Sequence, residues 1–284
     1  MRSYSTQTIH LPAGDRTLPC LLLRPVRQPR TAAAPGILWI HGGGYITGMA
    51  GMVHFSRARH LVSRYGAIVL APAYRLAGQA PYPAALLDCH RALSYLCTHA
   101  DELGIRSDQL MVGGESAGGG LTAALCQYER DIGGIRIAYQ MPLYPMLDNE
   151  DTVSSRCNHA PVWNTRRNHY AWRRYLRGLT PGAVPPYAAP ARQTDYRNLP
   201  PAYTFVGTRE PFYAETLTYI RHLREAGVPA ELDIYPGLFH AFDMLLPFLR
   251  ASRTAARRFE QQFERARHRY FAPQPAKETS SYEQ

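Results

Sequence analysis

From about residue 18 to residue 235, short apolar runs alternate with segments of helical periodicity, which restricts the chain to a mostly parallel twisted sheet flanked by helices, an α/β architecture. The strand candidates are Leu18–Leu23, Gly36–Ile40, Ala67–Pro72, Leu110–Gly113, Ile135–Pro142, Ala202–Val206 and Ala230–Tyr235. Several are apolar without a polar alternate, as a strand covered on both faces must be. Between them, helices are predicted from about Pro83 to Thr98, with Gly104 beyond the end, and from about Phe212 to Ala226, stopped by Gly227. The alternation fails between Leu147 and Asn198. That stretch offers no strand, only an amphipathic helix over Thr165–Arg177, and it is flanked by Pro181, Pro185, Pro186, Pro190 and Pro200–Pro201. The expected organisation is a core of residues 1–146 and 199–270, a small helical cap insertion at 147–198, and a flexible tail at 271–284.

Composition removes several kinds of chemistry. The 284 residues contain one lysine, Lys277, in the expected tail, so Schiff-base chemistry, Ser–Lys dyads and phosphate loops lack the positioned amine they need. The five cysteines have neither metal-ligand nor disulfide spacing and read as small, reduced core residues. No metal and no cofactor are expected. The formal charge of +10 would suit a polyanion, but the basic residues are spread along the chain without interleaved aromatics, so nucleic acid is not expected. No apolar run approaches the about 20 residues of a membrane span. Met1–His10 is polar rather than a secretory leader, and a cytoplasmic location is the expectation.

Gly114-Glu115-Ser116-Ala117-Gly118 follows an apolar strand and precedes a helical run with Leu121, Ala124 and Leu125. A serine nucleophile needs this setting: a strained strand-to-helix turn lifts its Oγ above the sheet, and small flanking residues admit the neighbouring backbones. His41-Gly42-Gly43-Gly44 follows the second core strand, and consecutive glycines allow backbone N–H groups to approach a developing oxyanion. His41 itself reads as a loop-holding residue rather than the base.

A serine hydroxyl also requires a base and a carboxylate that orients it. After a strand–serine–helix elbow, acid and histidine follow in that order. His240 lies on the loop beyond the last strand candidate and Glu210 on the loop beyond the one before, both at the sheet end where Ser116 emerges. Glu215, within a helix, and Asp243, close to His240 in sequence, are the alternative acids. His54, His60, His90 and His99 precede the serine, while His159 and His169 belong to the insertion.

Together, His41–Gly44, Gly114–Gly118, Glu210 and His240 resemble the hormone-sensitive-lipase-like esterases, the HGGG or type IV bacterial lipolytic family of the α/β-hydrolase fold. The similarity runs from about Pro35 to His240, includes Asp195–Tyr203, and extends to the 30-residue separation of acid and histidine. It implies a serine carboxylesterase that hydrolyses short- to medium-chain acyl esters, with Gly43, Gly44 and Ala117 as oxyanion donors. The chain departs from the pattern twice. Glu210 stands where the family carries aspartate, and the extra methylene requires the loop to sit roughly 1 Å differently. Few residues precede the first strand candidate, so the cap would rest on 147–198, with an open entrance tolerant of bulky groups. Tyr45, Trp163 and Trp172 are expected at the substrate pocket. Arg156, Arg166, Arg167, Arg173, Arg174 and Arg177 form either a solvated face or a steering surface for anions. The partner expected is a small-molecule ester, and a homo-oligomer is admitted. Amidase or formamidase action, acyl transfer on the same triad, and a non-catalytic ligand-binding role are the alternatives.

Overall fold

In β3 (Ala34–Ile40), Ile37 and Trp39 point to one side of the sheet and Leu38 and Ile40 to the other, and each pair enters a separate apolar core. Period-2 packing of a continuously apolar strand on two cores is what a sheet covered on both faces requires. The computed structural model describes residues 4–26, 33–180 and 182–275. Around β3 the chain runs β1 (Tyr4–Ala13), β2 (Arg16–Pro25), α1 (Ala58–Tyr65), β4 (Ile68–Pro72), α2 (Ala84–Thr98), α3 (Ala100–Leu103), β5 (Ile105–Glu115) and α4 (Ala117–Asp131). It continues through β6 (Tyr139–Leu143), α5 (Thr165–Tyr175), β7 (Ala202–Gly207), α6 (Tyr213–Glu225), β8 (Ala230–Tyr235), α7 (Phe242–Leu245) and α8 (Arg250–Arg269). Strand order is β1-β2-β4-β3-β5-β6-β7-β8; β1, β2 and β4 pair antiparallel and the remaining neighbours parallel. This is the α/β-hydrolase fold expected from the sequence.

Helices cover both faces. Leu61 and Val62 of α1 and Phe259 and Phe263 of α8 fill one core. Leu93 of α2, Leu121 of α4 and Ile220 of α6 fill the other, joined by Trp172 and Tyr175 of α5. All seven strand candidates fall on observed strands, although the fifth begins only at Tyr139. Strand β1 was not anticipated. It pairs with β2 over ten residues, from Tyr4 with Pro25 to Ala13 with Arg16, so the chain ahead of the expected first strand extends the sheet. Of the expected tail, residues 271–275 are described and are held to the core. Ala272 N–H donates to the Asp108 carbonyl at 2.8 Å, and Gln274 Nε2 to the Arg136 carbonyl at 2.8 Å. Residues 276–284, with Lys277, and Pro181 in the insertion lie outside the described residues.

Candidate active site

Ser116 stands between the last residue of β5 and the first of α4 with φ 58° and ψ −121°, a backbone conformation that L-residues avoid. The turn is compressed against β3. A Cβ on Gly118 would fall 2.0 Å from the Ile40 carbonyl oxygen, and one on Gly114 2.4 Å from the same atom. Both glycines are therefore obligatory, and the strain is held by hydrogen bonds: Ser116 N–H donates to the Leu143 carbonyl at 3.0 Å, and the Ser116 carbonyl accepts from Gly120 and Met146.

The other two predicted triad residues meet this serine. His240 Nε2 lies 2.9 Å from Ser116 Oγ, and His240 Nδ1 lies 2.5 Å from Glu210 Oε2. The second Glu210 oxygen accepts the Gly207 N–H at 2.9 Å. A carboxylate only accepts, so Nδ1 carries the imidazole proton and Nε2 is left to accept from the serine hydroxyl. Glu210 is fully buried and His240 nearly so. The imidazole is also confined by rings the sequence did not point to: Tyr144 and Phe212 meet it edge-on, at 5.1 and 5.0 Å between centroids. The alternative acids are engaged elsewhere. Glu215 accepts the Leu147 N–H at 2.6 Å, and Asp243 accepts from Arg57 Nε at 2.8 Å.

The glycine loop curls over the serine. The Gly43 carbonyl accepts from the Ile46 and Thr47 N–H groups at 3.1 and 3.0 Å, which closes the loop into a turn. Among the described residues, the N–H groups of Gly43, Gly44 and Ala117 donate to no protein acceptor. His41 is a scaffold, as expected. Its Nδ1 donates to the Gly42 carbonyl at 2.7 Å, its ring stacks on Tyr74 at 4.2 Å, and burial lowers its pKa, keeping it neutral.

A cavity of about 290 Å³ opens above the serine, walled by the glycine loop, Met52, Tyr144, Trp163, Met244 and Leu245. A larger hollow of about 420 Å³ beside Glu129 and Arg136 contains neither Ser116 nor His240, so size alone does not locate the chemistry. Trp163 lines this cavity, its ring against Gly44. Tyr45 and Trp172 do not. Tyr45 has φ 62°, which turns its side chain into the core; its hydroxyl donates to the Met146 carbonyl at 2.8 Å and its ring stacks on Tyr175 at 4.0 Å. Trp172 packs against that same Tyr45 ring at 5.4 Å. Both residues fasten α5 to the core and do not line the cavity above Ser116.

Three further features had no local signal in the sequence. Arg57, preceding α1, also donates to the Asp243 carbonyl at 2.9 Å, latching the segment after His240. Trp39 Nε1–H donates to Glu115 Oε2 at 2.9 Å beside the serine. Burial, and then the charge of Asp243, pushes the Glu115 carboxyl up to about 8.

Comparison with known proteins agrees with this fold. The profile of a family described as the alpha/beta hydrolase fold matches residues 37–244. Esterase LipI of Mycobacterium tuberculosis is 32% identical over 220 residues, covering 77% of this chain and 68% of its own. An ethyl acetate hydrolase of Pseudomonas putida is 30% identical over 230 residues, covering 80% of this chain and 71% of its own. Among solved structures, a bacterial heroin esterase superposes with a TM-score of 0.88 at 32% identity, over 93% of this chain and 84% of its own. Esterase LipW from Mycobacterium marinum gives 0.85 at 30% identity, over 93% and 82%.

Proposed function

Since this chain belongs to the alpha/beta hydrolase fold family, among its hormone-sensitive-lipase-like carboxylesterases, we propose that Ser116, His240 and Glu210 are the triad with which it hydrolyses short- to medium-chain acyl esters. The observation that carries the assignment is the unbroken relay from Glu210 through His240 to Ser116, at 2.5 and 2.9 Å. Ser116 Oγ attacks the ester carbonyl as His240 Nε2 takes its proton, and Glu210 stabilises the imidazolium that forms. The N–H groups of Gly43, Gly44 and Ala117 receive the oxyanion, a contribution of about 10²–10³ in rate per donor. His240 then returns the proton to the departing alcohol. Water, activated by the same histidine, releases the acid from the acyl-enzyme. A cavity of about 290 Å³ is at the small end for organic ligands and suits an acyl chain of modest length. Residues 147–198, which hold α5, act in this reading as a cap over the cavity. Among the described residues no helix is long and apolar enough to cross a membrane; the reading places the enzyme in the cytoplasm, which cell fractionation tests.

A series of p-nitrophenyl esters of rising acyl length tests the assignment, run with wild type and Ser116→Ala. Turnover is expected to peak at short or medium chains and to vanish in the variant. Equal rates in the two proteins would overturn it.

A further inference from the structure

A second hollow adjoins the catalytic cavity. It has a volume of about 710 Å³ and lies between Ile46 and Thr47, just after the glycine loop, and Arg166, Tyr170 and Arg173 of α5. Val162 and Trp163 line both hollows, so the two meet at this pair of side chains. The wall contributed by α5 is unusual in charge: residues 156–177 contain six arginines and no aspartate or glutamate. Arg166, Tyr170 and Arg173 recur at helical spacing and share one stripe of α5. Among the described residues, no carboxylate pairs with Arg166 or Arg173, and Arg167 at the rim donates to the Val162 carbonyl. The helix cannot roll to disperse these charges. Its opposite stripe, Ala171, Trp172 and Tyr175, is buried against Tyr45 and the core.

We propose that this hollow is an anion subsite, and that the substrates it selects are esters bearing a carboxylate on the part of the molecule that passes Trp163. The inference rests on the triad reading above, because it takes the ester to sit over Ser116. The chemistry follows from the walls. A guanidinium presents a planar fork that matches a carboxylate, and two unpaired forks on one fixed face repel each other until an anion lies between them. Ile46 and Trp163 supply an apolar path between the charged end and the reacting carbonyl. A neutral ester fills the catalytic cavity alone; a hemiester of a dicarboxylic acid fills both hollows.

The test compares charge-matched ester pairs, with the anion on either side of the scissile bond. Mono-p-nitrophenyl glutarate is set against p-nitrophenyl valerate, and 4-acetoxybenzoate against 4-acetoxybenzamide. In at least one pair the wild type is expected to favour the anion. Arg166→Gln with Arg173→Gln is expected to lower the anionic-to-neutral ratio of kcat/KM about fivefold or more, chiefly through KM, and Arg166→Glu with Arg173→Glu to lower it further. The ratio is internal to each protein, so a lower folded yield does not distort it. Ratios that are the same in wild type and both variants, in both pairs, would overturn the subsite while leaving the triad intact. Binding of mono-p-nitrophenyl glutarate and p-nitrophenyl valerate to Ser116→Ala, read by calorimetry, tests the subsite without turnover. Tighter binding of the glutarate, lost with the arginines, supports it even if the triad reading fails; equal affinities count against it.

Discussion

The Glu210 carboxylate serves two donors at once, His240 Nδ1–H through one oxygen and Gly207 N–H through the other. Its reach and its charge are therefore separable by substitution. Glu210→Gln keeps the length and removes the charge facing the imidazolium; kcat is expected to fall by about 10³–10⁴ with KM within a few-fold. Glu210→Asp keeps the charge but withdraws it by one methylene from both partners, which is expected to cost about 10² in kcat. Steady-state kinetics on one short-chain ester ranks the two, and a Glu210→Gln enzyme near wild-type rate would remove Glu210 from the triad. Glu115, next to Ser116, makes a different prediction. One of its oxygens accepts from Trp39 and the other has no partner among the described residues, and its carboxyl is pushed up to about 8 from an ordinary value of 4.5. The folded protein thus retains a proton that the unfolded chain releases between about pH 4.5 and pH 8, so this group makes stability decline as pH rises through that window and level off above it. Glu115→Gln imitates the protonated form. Its melting temperature is expected to sit close to that of wild type near pH 5 and to exceed it by several degrees above pH 8, measured by circular dichroism. A difference that did not change with pH would show that Glu115 ionises in the ordinary range.

At the scale of elements, the histidine proposed as the base depends on a latch from across the fold. His240 lies between β8 and α7, and Arg57, ahead of α1, grips α7 through both the side chain and the carbonyl of Asp243. Asp243 is buried, so Arg57→Ala leaves a carboxylate without its cation, at an expected cost of about 3–5 kcal/mol. Urea denaturation should show that loss, and Asp243→Asn in the same background should return part of it; a loss under about 1 kcal/mol would mean that the latch carries little. The expected fall in kcat arises from a loosened His240 segment, so Arg57 is a positioning residue. This latch was not legible in the sequence, because its partners are 186 residues apart and each looks like an ordinary surface charge. The convergence of Ser116, Glu210 and His240, the proposed triad, was legible because each lies at the C-terminal end of a strand or just beyond it, where a local motif and chain order suffice. Tyr45 was misplaced for a local reason: it follows the glycines directly, but its positive φ turns the ring inward. Strand β1 was missed because it is an edge strand with most of its first residues exposed, so it shows no apolar pattern and is defined by its ladder to β2. Helix α8 escaped for the same kind of reason, its narrow stripe of Ala255, Phe259, Phe263 and Ala266 being set among arginines and glutamates.

At the scale of the molecule, the surplus of 32 basic over 22 acidic side chains acts on stability and on substrate with opposite sign. A net charge of +10 repels itself more in the compact state than in the unfolded chain, a long-range effect that salt weakens. Raising sodium chloride from 0.01 to 0.1 M shortens the screening length from about 30 Å to about 10 Å, and the melting temperature should rise. Exposed ion pairs such as Arg197–Asp195 weaken over the same range but contribute little to begin with, while the buried Arg57–Asp243 pair is screened little. The same salt competes with an anionic ester for the arginine face of α5, so kcat/KM for mono-p-nitrophenyl glutarate should fall while that for p-nitrophenyl valerate stays nearly constant. Arg166→Glu with Arg173→Glu lowers the formal charge by four and is expected to flatten both responses, since it removes repulsion and subsite together. A melting temperature that climbs with salt while turnover of the glutarate ester does not move would confine the surplus charge to stability, and the arginines of α5 would then be a solvated face.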